Sequence, residues 1–177
     1  MPADALDLRD FVREIPDFPR PGIAFKDITP LLHAPVALDA AVRGLAEFAR
    51  GLEVEFVVAA EARGFILGGA LARELGAGFI PARKPGKLPH ETISAEYELE
   101  YGLDELEMHA DALSGGARVL IHDDLLATGG TARALCDLVA RTGAAIVGCA
   151  FLVELNFLNG RAQLEPYRVY ALMRFDS

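Results

Sequence analysis

The stretch that decides the fold is Val119-Leu120-Ile121-His122-Asp123-Asp124-Leu125-Leu126-Ala127-Thr128-Gly129-Gly130-Thr131-Ala132. In it, an apolar run leads into two adjacent carboxylates and then into a turn of small residues. This order predicts a strand over 118–123, a tight turn and a helix over 131–141. In parallel sheets, ligands bind where strands end and helices begin. The stretch therefore predicts an α/β fold and marks the sheet edge that carries a site.

The turn after the two carboxylates has the composition of a phosphate-binding loop. Small side chains let backbone N–H groups converge on one point, and the following helix directs its positive end there. The residues predicted to hold a phosphate monoester are Ala127, Thr128, Gly129, Gly130 and Thr131. Asp123 and Asp124 could hydrogen-bond sugar hydroxyls or hold Mg²⁺. We interpret the segment as a ribose-phosphate site; the alternative is an ordinary strand-to-helix turn capped by Asp and Thr.

Two other nucleotide-binding motifs are excluded by the residues present. A Walker A loop has a lysine after its last glycine, whereas Thr131 follows Gly130 here. A dinucleotide-binding fingerprint needs G-x-G-x-x-G, whereas the Gly-Ala-Gly of residues 76–78 runs on to Pro81. The loop is therefore of neither type.

Further segments share one resemblance with residues 119–132. Together they resemble the type I phosphoribosyltransferases and, among these, the adenine phosphoribosyltransferases. The segments are FPRPGIAFKDITP (18–30), EARGF (61–65), RKPGKLP (83–89), YELEYG (97–102) and LVEL (152–155). The resemblance implies a mostly parallel, twisted sheet flanked by helices, with a small N-terminal hood over about residues 1–35 and a flexible lid loop over about 84–107.

The resemblance also implies a reaction. Adenine and phosphoribosyl pyrophosphate would give AMP and pyrophosphate, with inversion at the anomeric carbon, Mg²⁺ as cofactor and a homodimer as the assembly. An oxocarbenium-like transition state calls for positioning and fixed charges rather than a covalent nucleophile. By the same resemblance, Asp123 and Asp124 would hold the ribose hydroxyls, directly or through Mg²⁺.

The resemblance assigns the leaving pyrophosphate to two segments. The residues are Glu61, Ala62, Arg63, Arg83, Lys84 and Lys87. Arginine suits bidentate phosphate contacts, so Arg63 also counts as a catalytic group. A surface ion pair between Glu61 and Arg63 and a solvated basic turn at 83–87 are the alternatives. In relatives, a phosphate-binding lysine can come from the neighbouring subunit, and the 61–64 turn often carries a non-proline cis peptide.

The base is assigned by the same resemblance. Ala24, Phe25 and Lys26 would face adenine, with Leu125 as an apolar wall. Phe25 could instead be a core anchor. Lys26 stands where relatives often have arginine, so a bidentate contact there is in doubt. Glu100 matches the acid/base position that exchanges a proton with the purine ring.

Composition narrows the classes of protein. The chain has 177 residues, 52% of them hydrophobic, and a formal charge of −9, which predicts one domain over 1–177 and argues against non-specific nucleic-acid binding. No segment has the length of a membrane span or the pattern of a leader, so we expect no membrane partner and a cytoplasmic protein. The two cysteines are expected to be reduced core thiols, and the four histidines non-catalytic, with His122 packed or hydrogen-bonded in its strand.

Periodicity and turn residues give the remaining elements. The predicted elements are helices over 6–15, 36–50, 65–75 and 131–141, strands over 55–60, 78–82, 118–123, 144–155 and 168–173, an ordered loop over 16–30 and an exposed hairpin over 94–101. Strands that alternate with helices in this way form parallel sheets with right-handed crossovers.

Two other functions stay open from the sequence. The same transfer to a 6-oxopurine such as hypoxanthine, guanine or xanthine would differ only in a few buried hydrogen bonds around the hood. A non-catalytic regulator that senses purines or phosphoribosyl pyrophosphate would usually add a DNA-binding segment, and this acidic chain shows no spare basic one.

Overall fold

The computed structural model describes residues 6–99 and 102–177. Within them, nine strands and four α-helices follow one another: β1 (Arg13–Ile15), β2 (Phe25–Asp27), α1 (Thr29–His33), α2 (Pro35–Ala49), β3 (Phe56–Ala60), α3 (Arg63–Leu75), β4 (Gly78–Ala82), β5 (Thr92–Leu99), β6 (Gly102–His109), β7 (Arg118–Leu126), α4 (Gly130–Arg141), β8 (Ala145–Leu155) and β9 (Val169–Phe175). Short 3-10 helices lie at Leu8–Phe11, Asn156–Leu158 and Gly160–Leu164.

The centre of the fold is a five-stranded parallel sheet in the order β4-β3-β7-β8-β9. Its strands are apolar and rich in β-branched residues, as strands covered on both faces must be. This confirms the predicted α/β class and its parallel sheet. Because β3 and β7 are direct neighbours, the ends of these two strands bring residues 61–64 and 123–131 to the same edge.

Helices cover both faces of the sheet. Helices α2 and α3 bury Leu45 and Leu67 against one face, together with Leu120 of β7. Helix α4 buries Leu135 on the other face, where Ile121 of β7 points the opposite way from Leu120. Along 6–99 and 102–177, the structure contains no helix with enough length and apolar character to cross a bilayer.

The region around the predicted lid is an antiparallel hairpin rather than an open loop. Strands β5 and β6 pair in register from Thr92 opposite His109 to Leu99 opposite Gly102. Ala95, Leu106 and Met108 are buried in the core that α4 shares, because the base of the hairpin packs on that helix. The predicted hairpin is thus longer than expected, and it is anchored on one face. Its role as a lid stays a prediction.

The helix predicted over residues 6–15 is wrong. Leu8–Phe11 forms one 3-10 turn, and Arg13–Ile15 is strand β1, antiparallel to β2. The apolar spacing that predicted a helix instead places Leu8, Phe11 and Val12 against the core beneath α2. Strand β2 likewise lies inside the predicted loop over 16–30. Strands β1 and β2 form because they pair with each other across the intervening loop. The periodicity within each segment does not show such pairing.

Candidate active site

Two unlike carboxylates end strand β7 at the edge of the sheet. Asp124 is only 6% exposed, and its Oδ2 lies 2.9 Å from Nε of Arg63, the first residue of α3. Asp123 is partly buried, and its Oδ1 accepts a hydrogen bond from the backbone N–H of Asp124 at 2.9 Å. A Cβ on Gly64 would lie 2.7 Å from that Oδ1, so glycine lets α3 begin against the carboxylate.

The two carboxylates differ in their electrostatic surroundings. Burial raises the pKa of Asp123 well above its ordinary value, the negative charge of Asp124 raises it further, and Arg63 partly offsets both. An additional cation or several hydroxyl donors at this point would relieve that electrostatic cost. Carboxylate oxygens suit Mg²⁺, which usually takes one or two carboxylates and completes its shell with substrate and water oxygens. The pair therefore fits the magnesium that the resemblance implies.

The described residues do not form a complete metal cage. Among 6–99 and 102–177, no three His, Cys, Asp or Glu side chains are grouped to hold an ion. A magnesium ion here would complete its shell with oxygen atoms from the substrate and water.

The phosphate loop follows the carboxylates as predicted. Gly129 has a φ of 90°, which favours glycine, and helix α4 begins at the next residue. A cavity of about 170 Å³ lies in front of the loop, bounded by Arg63 and residues 123–132. The structure thus brings together the predicted residues Arg63, Asp123, Asp124, Leu125, Ala127, Thr128, Gly129, Gly130 and Thr131.

Gly160 supports this loop from behind, and the sequence interpretation missed it. A Cβ on Gly160 would lie 2.2 Å from the carbonyl oxygen of Ala127, and a Cβ on Gly129 would lie 2.5 Å from the carbonyl oxygen of Gly160. The two backbones therefore touch where only glycines fit. The Asn159-Gly160 dipeptide marked a turn, but nothing local showed which loop it would meet.

A second, larger cavity adjoins the first at Thr128 and Gly130. It measures about 850 Å³. Its walls come from the loop before β2, the second half of β5, helix α4, the end of β8 with the segment after it, and the residue Ser177 after β9. The lining residues besides Thr128 and Gly130 are Gly22, Ile23, Ala24, Glu96, Tyr97, Glu98, Leu99, Arg133, Ala134, Asp137, Leu155, Phe157, Leu158, Gln163 and Ser177. Of the residues predicted to face the base, Ala24 lies in this wall. The lining is mainly apolar in area but carries four residues with charged side chains, Glu96, Glu98, Arg133 and Asp137. A cavity of this size with a mainly apolar wall is typical of a small-molecule site.

The predicted pyrophosphate residues other than Arg63 line neither cavity. Glu61 Oε1 accepts a hydrogen bond from the backbone N–H of Lys84 at 2.7 Å and lies 3.3 Å from Arg83 Nε. The Glu61–Ala62 peptide is cis. Lys87 is exposed, and its carbonyl oxygen accepts a 3.3 Å hydrogen bond from Arg83. These residues share the edge of the sheet with Arg63, and their role toward pyrophosphate stays a prediction.

Two residues predicted to face the base have other contacts. The Phe25 ring meets Phe18 edge to face at 5.1 Å, and the Arg63 guanidinium lies 5.3 Å from its centroid. Lys26 lines neither cavity, and its predicted place beside the base stays a prediction. Its ammonium pairs with Glu14 across the β1–β2 ribbon and lies 4.9 Å from the Phe175 ring centroid.

His122 is the packed strand histidine that was predicted. It is fully buried, and its Nδ1 lies 2.9 Å from the Ala150 carbonyl oxygen, where a protonated Nδ1 donates to it. Its Nε2 has no hydrogen-bond partner in the described part of the chain. Burial lowers the pKa of His122 to about 4, so the ring is neutral. Glu100, the residue predicted to act as acid and base, lies outside the described residues.

Comparison with known proteins shows the family that shares this sequence. The phosphoribosyl transferase domain family matches residues 32–174. The adenine phosphoribosyltransferases of Rubrobacter xylanophilus and Flavobacterium johnsoniae are 55% and 54% identical over 95% and 96% of this chain, which spans 91% and 100% of theirs. The chain belongs to the adenine phosphoribosyltransferase family. Members of this family are pentosyltransferases.

Solved structures in the adenine phosphoribosyltransferase family share the whole fold. The enzyme from Thermoanaerobacter pseudethanolicus superposes with a TM-score of 0.93 at 51% identity, covering 95% of this chain and 98% of that one. The Saccharomyces cerevisiae enzyme, solved with adenine and an imino-altritol bisphosphate, gives 0.89 at 38% identity over 93% and 96%. The type I phosphoribosyltransferase fold is therefore confirmed.

Proposed function

We propose that this chain transfers the phosphoribosyl group of phosphoribosyl pyrophosphate to adenine and releases AMP and pyrophosphate. The bond from the anomeric carbon to pyrophosphate breaks, a bond to the purine nitrogen forms, and the purine gives up a proton. One observation carries the proposal: the carboxylates and phosphate loop enclose a small polar cavity that opens beside a larger, apolar one. A ribose phosphate suits the first and a purine suits the second.

The chain's own residues would divide the work between the two halves of the substrate. Backbone N–H groups at 127–131 and the α4 N-terminus would hold the 5′-phosphate. Asp123 and Asp124 would hold the ribose hydroxyls, and their charge lies near the positive charge that develops on the ring. Arg63, already paired with Asp124, would hold the leaving pyrophosphate at the same edge.

Magnesium belongs to the proposal as the cofactor. Asp123 and Asp124 would hold it together with substrate oxygens. A bound Mg²⁺ neutralises charge on the pyrophosphate group. Orientation of the ribose and exclusion of water would remain the task of the loop and the hairpin.

We also propose a homodimer in the cytoplasm. The assembly rests on the family resemblance, and the location rests on the substrates, since polyanionic phosphate esters do not cross a bilayer unaided. Size-exclusion chromatography with light scattering tests the assembly, and a single-chain mass would contradict it.

The direct test of this function is product formation. Purified protein with adenine, phosphoribosyl pyrophosphate and Mg²⁺ should form AMP and pyrophosphate in equal amounts, measured by chromatography and a coupled phosphate assay. Binding of both substrates without either product would contradict the proposal.

Glu100 would exchange the purine proton in this reaction. Glu100→Gln keeps size and polarity but cannot take a proton, so turnover should fall by about 10²-fold or more while the KM for phosphoribosyl pyrophosphate changes little. Steady-state kinetics measure both quantities. Glu91→Gln, at an exposed position just before β5, is the matched control. Unchanged turnover in Glu100→Gln would remove this residue from the mechanism.

A further inference from the structure

The charge of Lys84 is already engaged inside the protein. Its ammonium donates to Asp104 Oδ2 and to the Tyr97 hydroxyl, the latter at 3.0 Å. The Tyr97 hydroxyl donates in turn to Asp104 Oδ2 at 3.0 Å. Tyr97 and Asp104 are directly opposite each other in the β5–β6 hairpin. Three side chains from two segments thus form a closed polar cluster.

This cluster lies beside the site rather than apart from it. The backbone N–H of Lys84 is bound by Glu61, just after strand β3. The Tyr97 side chain lines the larger cavity, and a Cβ on Gly130 would lie 3.5 Å from Tyr97 Cδ2. Tyr97 therefore connects the Lys84–Asp104 pair with the edge of the phosphate loop at Gly130.

The proposed substrate would compete for the same ammonium. A pyrophosphate group needs cations, and this chain carries a formal charge of −9. As long as Asp104 neutralises Lys84, an incoming anion must displace that carboxylate or share its cation. Part of the attraction between Lys84 and the anion is then lost in breaking the internal pair.

We infer that Asp104, supported by Tyr97, sets the affinity for the pyrophosphate group by competing with it for Lys84. The inference rests on the proposed function and names residues outside the predicted pyrophosphate set. Asp104 would keep affinity moderate, so that pyrophosphate can leave after transfer.

The electrostatics agree with a closed pair. Burial alone would lower the pKa of Lys84, but the hydrogen bonds that its ammonium donates to Asp104 and Tyr97 outweigh burial and raise the pKa. The hydrogen bond from Lys84 holds the pKa of Asp104 below its ordinary value. Side-chain exposures of 39% and 26% leave the pair within reach of water, so an anion can exchange for the carboxylate.

The test is pyrophosphate binding by calorimetry with Mg²⁺ present. Asp104→Asn keeps the shape of the side chain but removes its charge, so it should lower the Kd for inorganic pyrophosphate by about two- to fivefold, the range of a partly exposed ion pair. Tyr97→Phe should shift the Kd the same way by less. Asp111→Asn makes the same chemical change at an exposed residue after β6 and should leave the Kd unchanged.

The Lys84→Gln background tests whether the effect of Asp104→Asn on the Kd depends on Lys84. In Lys84→Gln, adding Asp104→Asn should no longer tighten binding. Equal or weaker binding by Asp104→Asn, an equal gain in the Lys84→Gln background, or no measurable binding by any variant would overturn the inference. AMP formation by the wild-type protein, measured in parallel, reports the proposed function separately, because it does not depend on the Asp104 variants.

Discussion

Neighbouring residues in this site have different surroundings. Asp124 forms an ion pair with Arg63, whereas burial raises the pKa of Asp123 and Arg63 only partly offsets this. The sequence could predict both as ligand-binding residues because strand-end carboxylates before a phosphate loop form a local motif. It could not predict their difference, since Arg63 reaches Asp124 only through the pairing of β3 with β7.

His122 should make the protein sensitive to mild acid. Its pKa of about 4 in the fold lies below the ordinary 6.5, so below pH 6.5 the unfolded chain takes up a proton that the folded chain refuses. This lowers the free energy of unfolding by about 2 kcal/mol between pH 6.5 and 5. His122→Asn, whose amide can still donate to Ala150, should not show this fall in the free energy of unfolding. Urea denaturation at pH 6.5 and at pH 5 measures it.

The control for this pH effect is His33→Asn, which changes the exposed histidine at the last residue of α1. It should show the wild-type decline in stability from pH 6.5 to 5. An equal decline in His122→Asn would show that the acid sensitivity arises elsewhere.

Removal of the Glu14 carboxylate should destabilise the protein more than removal of the Lys26 ammonium. The Lys26 side chain is 5% exposed and that of Glu14 60% exposed. Glu14→Ala leaves a buried ammonium without its carboxylate partner, so the free energy of unfolding should fall by about 1–3 kcal/mol. Lys26→Met leaves Glu14 in water and should cost less.

Chemical denaturation of the two single variants and of the double variant Glu14→Ala/Lys26→Met tests this difference in stability. The double variant should be more stable than Glu14→Ala alone, because the uncompensated charge is gone. A larger loss from Lys26→Met than from Glu14→Ala would contradict the asymmetry. The resemblance assigned Lys26 to the base, and the sequence could not show its contacts with Glu14 and Phe175, which depend on the folded chain.

At the scale of elements, the phosphate loop is held by contact between two backbones. Gly129→Ala would put a Cβ 2.5 Å from the Gly160 carbonyl oxygen at a φ of 90°. Relieving this contact moves the loop at a cost of about 1–3 kcal/mol, so the KM for phosphoribosyl pyrophosphate should rise about five- to a hundredfold. Steady-state kinetics test this.

Gly115→Ala is the matched control for the loop, since a Cβ there meets no atom within 4 Å. It should keep the wild-type KM. A normal KM in Gly129→Ala would show that the loop tolerates a side chain and that the contact with Gly160 is not needed for binding.

Elements with a strong local pattern were predicted well, and those defined by distant pairing were not. The strand over 78–82 was predicted with its observed ends, and helix α2 within one residue at each end. Strand β7 runs three residues beyond the predicted end, because pairing with β8 continues to Leu126. The 3-10 segment that carries Gly160 has no periodicity of its own, so only the folded chain shows that it supports the phosphate loop.

The molecule as a whole combines an acidic surface with a site for anions. A formal charge of −9 is offset locally by a helix N-terminus, backbone N–H groups and Arg63 at one edge of the parallel sheet. The sequence could predict that the site lies at this edge, because the carboxyl ends of parallel strands lie at the same edge of a sheet. The sequence could not predict the second cavity, since its walls come from five separate parts of the chain.

Base selection is the most direct test of the proposed function, because the larger cavity must distinguish an exocyclic amine from an oxo group. With phosphoribosyl pyrophosphate and Mg²⁺ held constant, nucleotide formation from adenine, hypoxanthine, guanine and xanthine should be compared as kcat/KM. Adenine should exceed each of the others by about 10²-fold or more. Faster nucleotide formation from hypoxanthine, or from any 6-oxopurine, would contradict an adenine phosphoribosyltransferase.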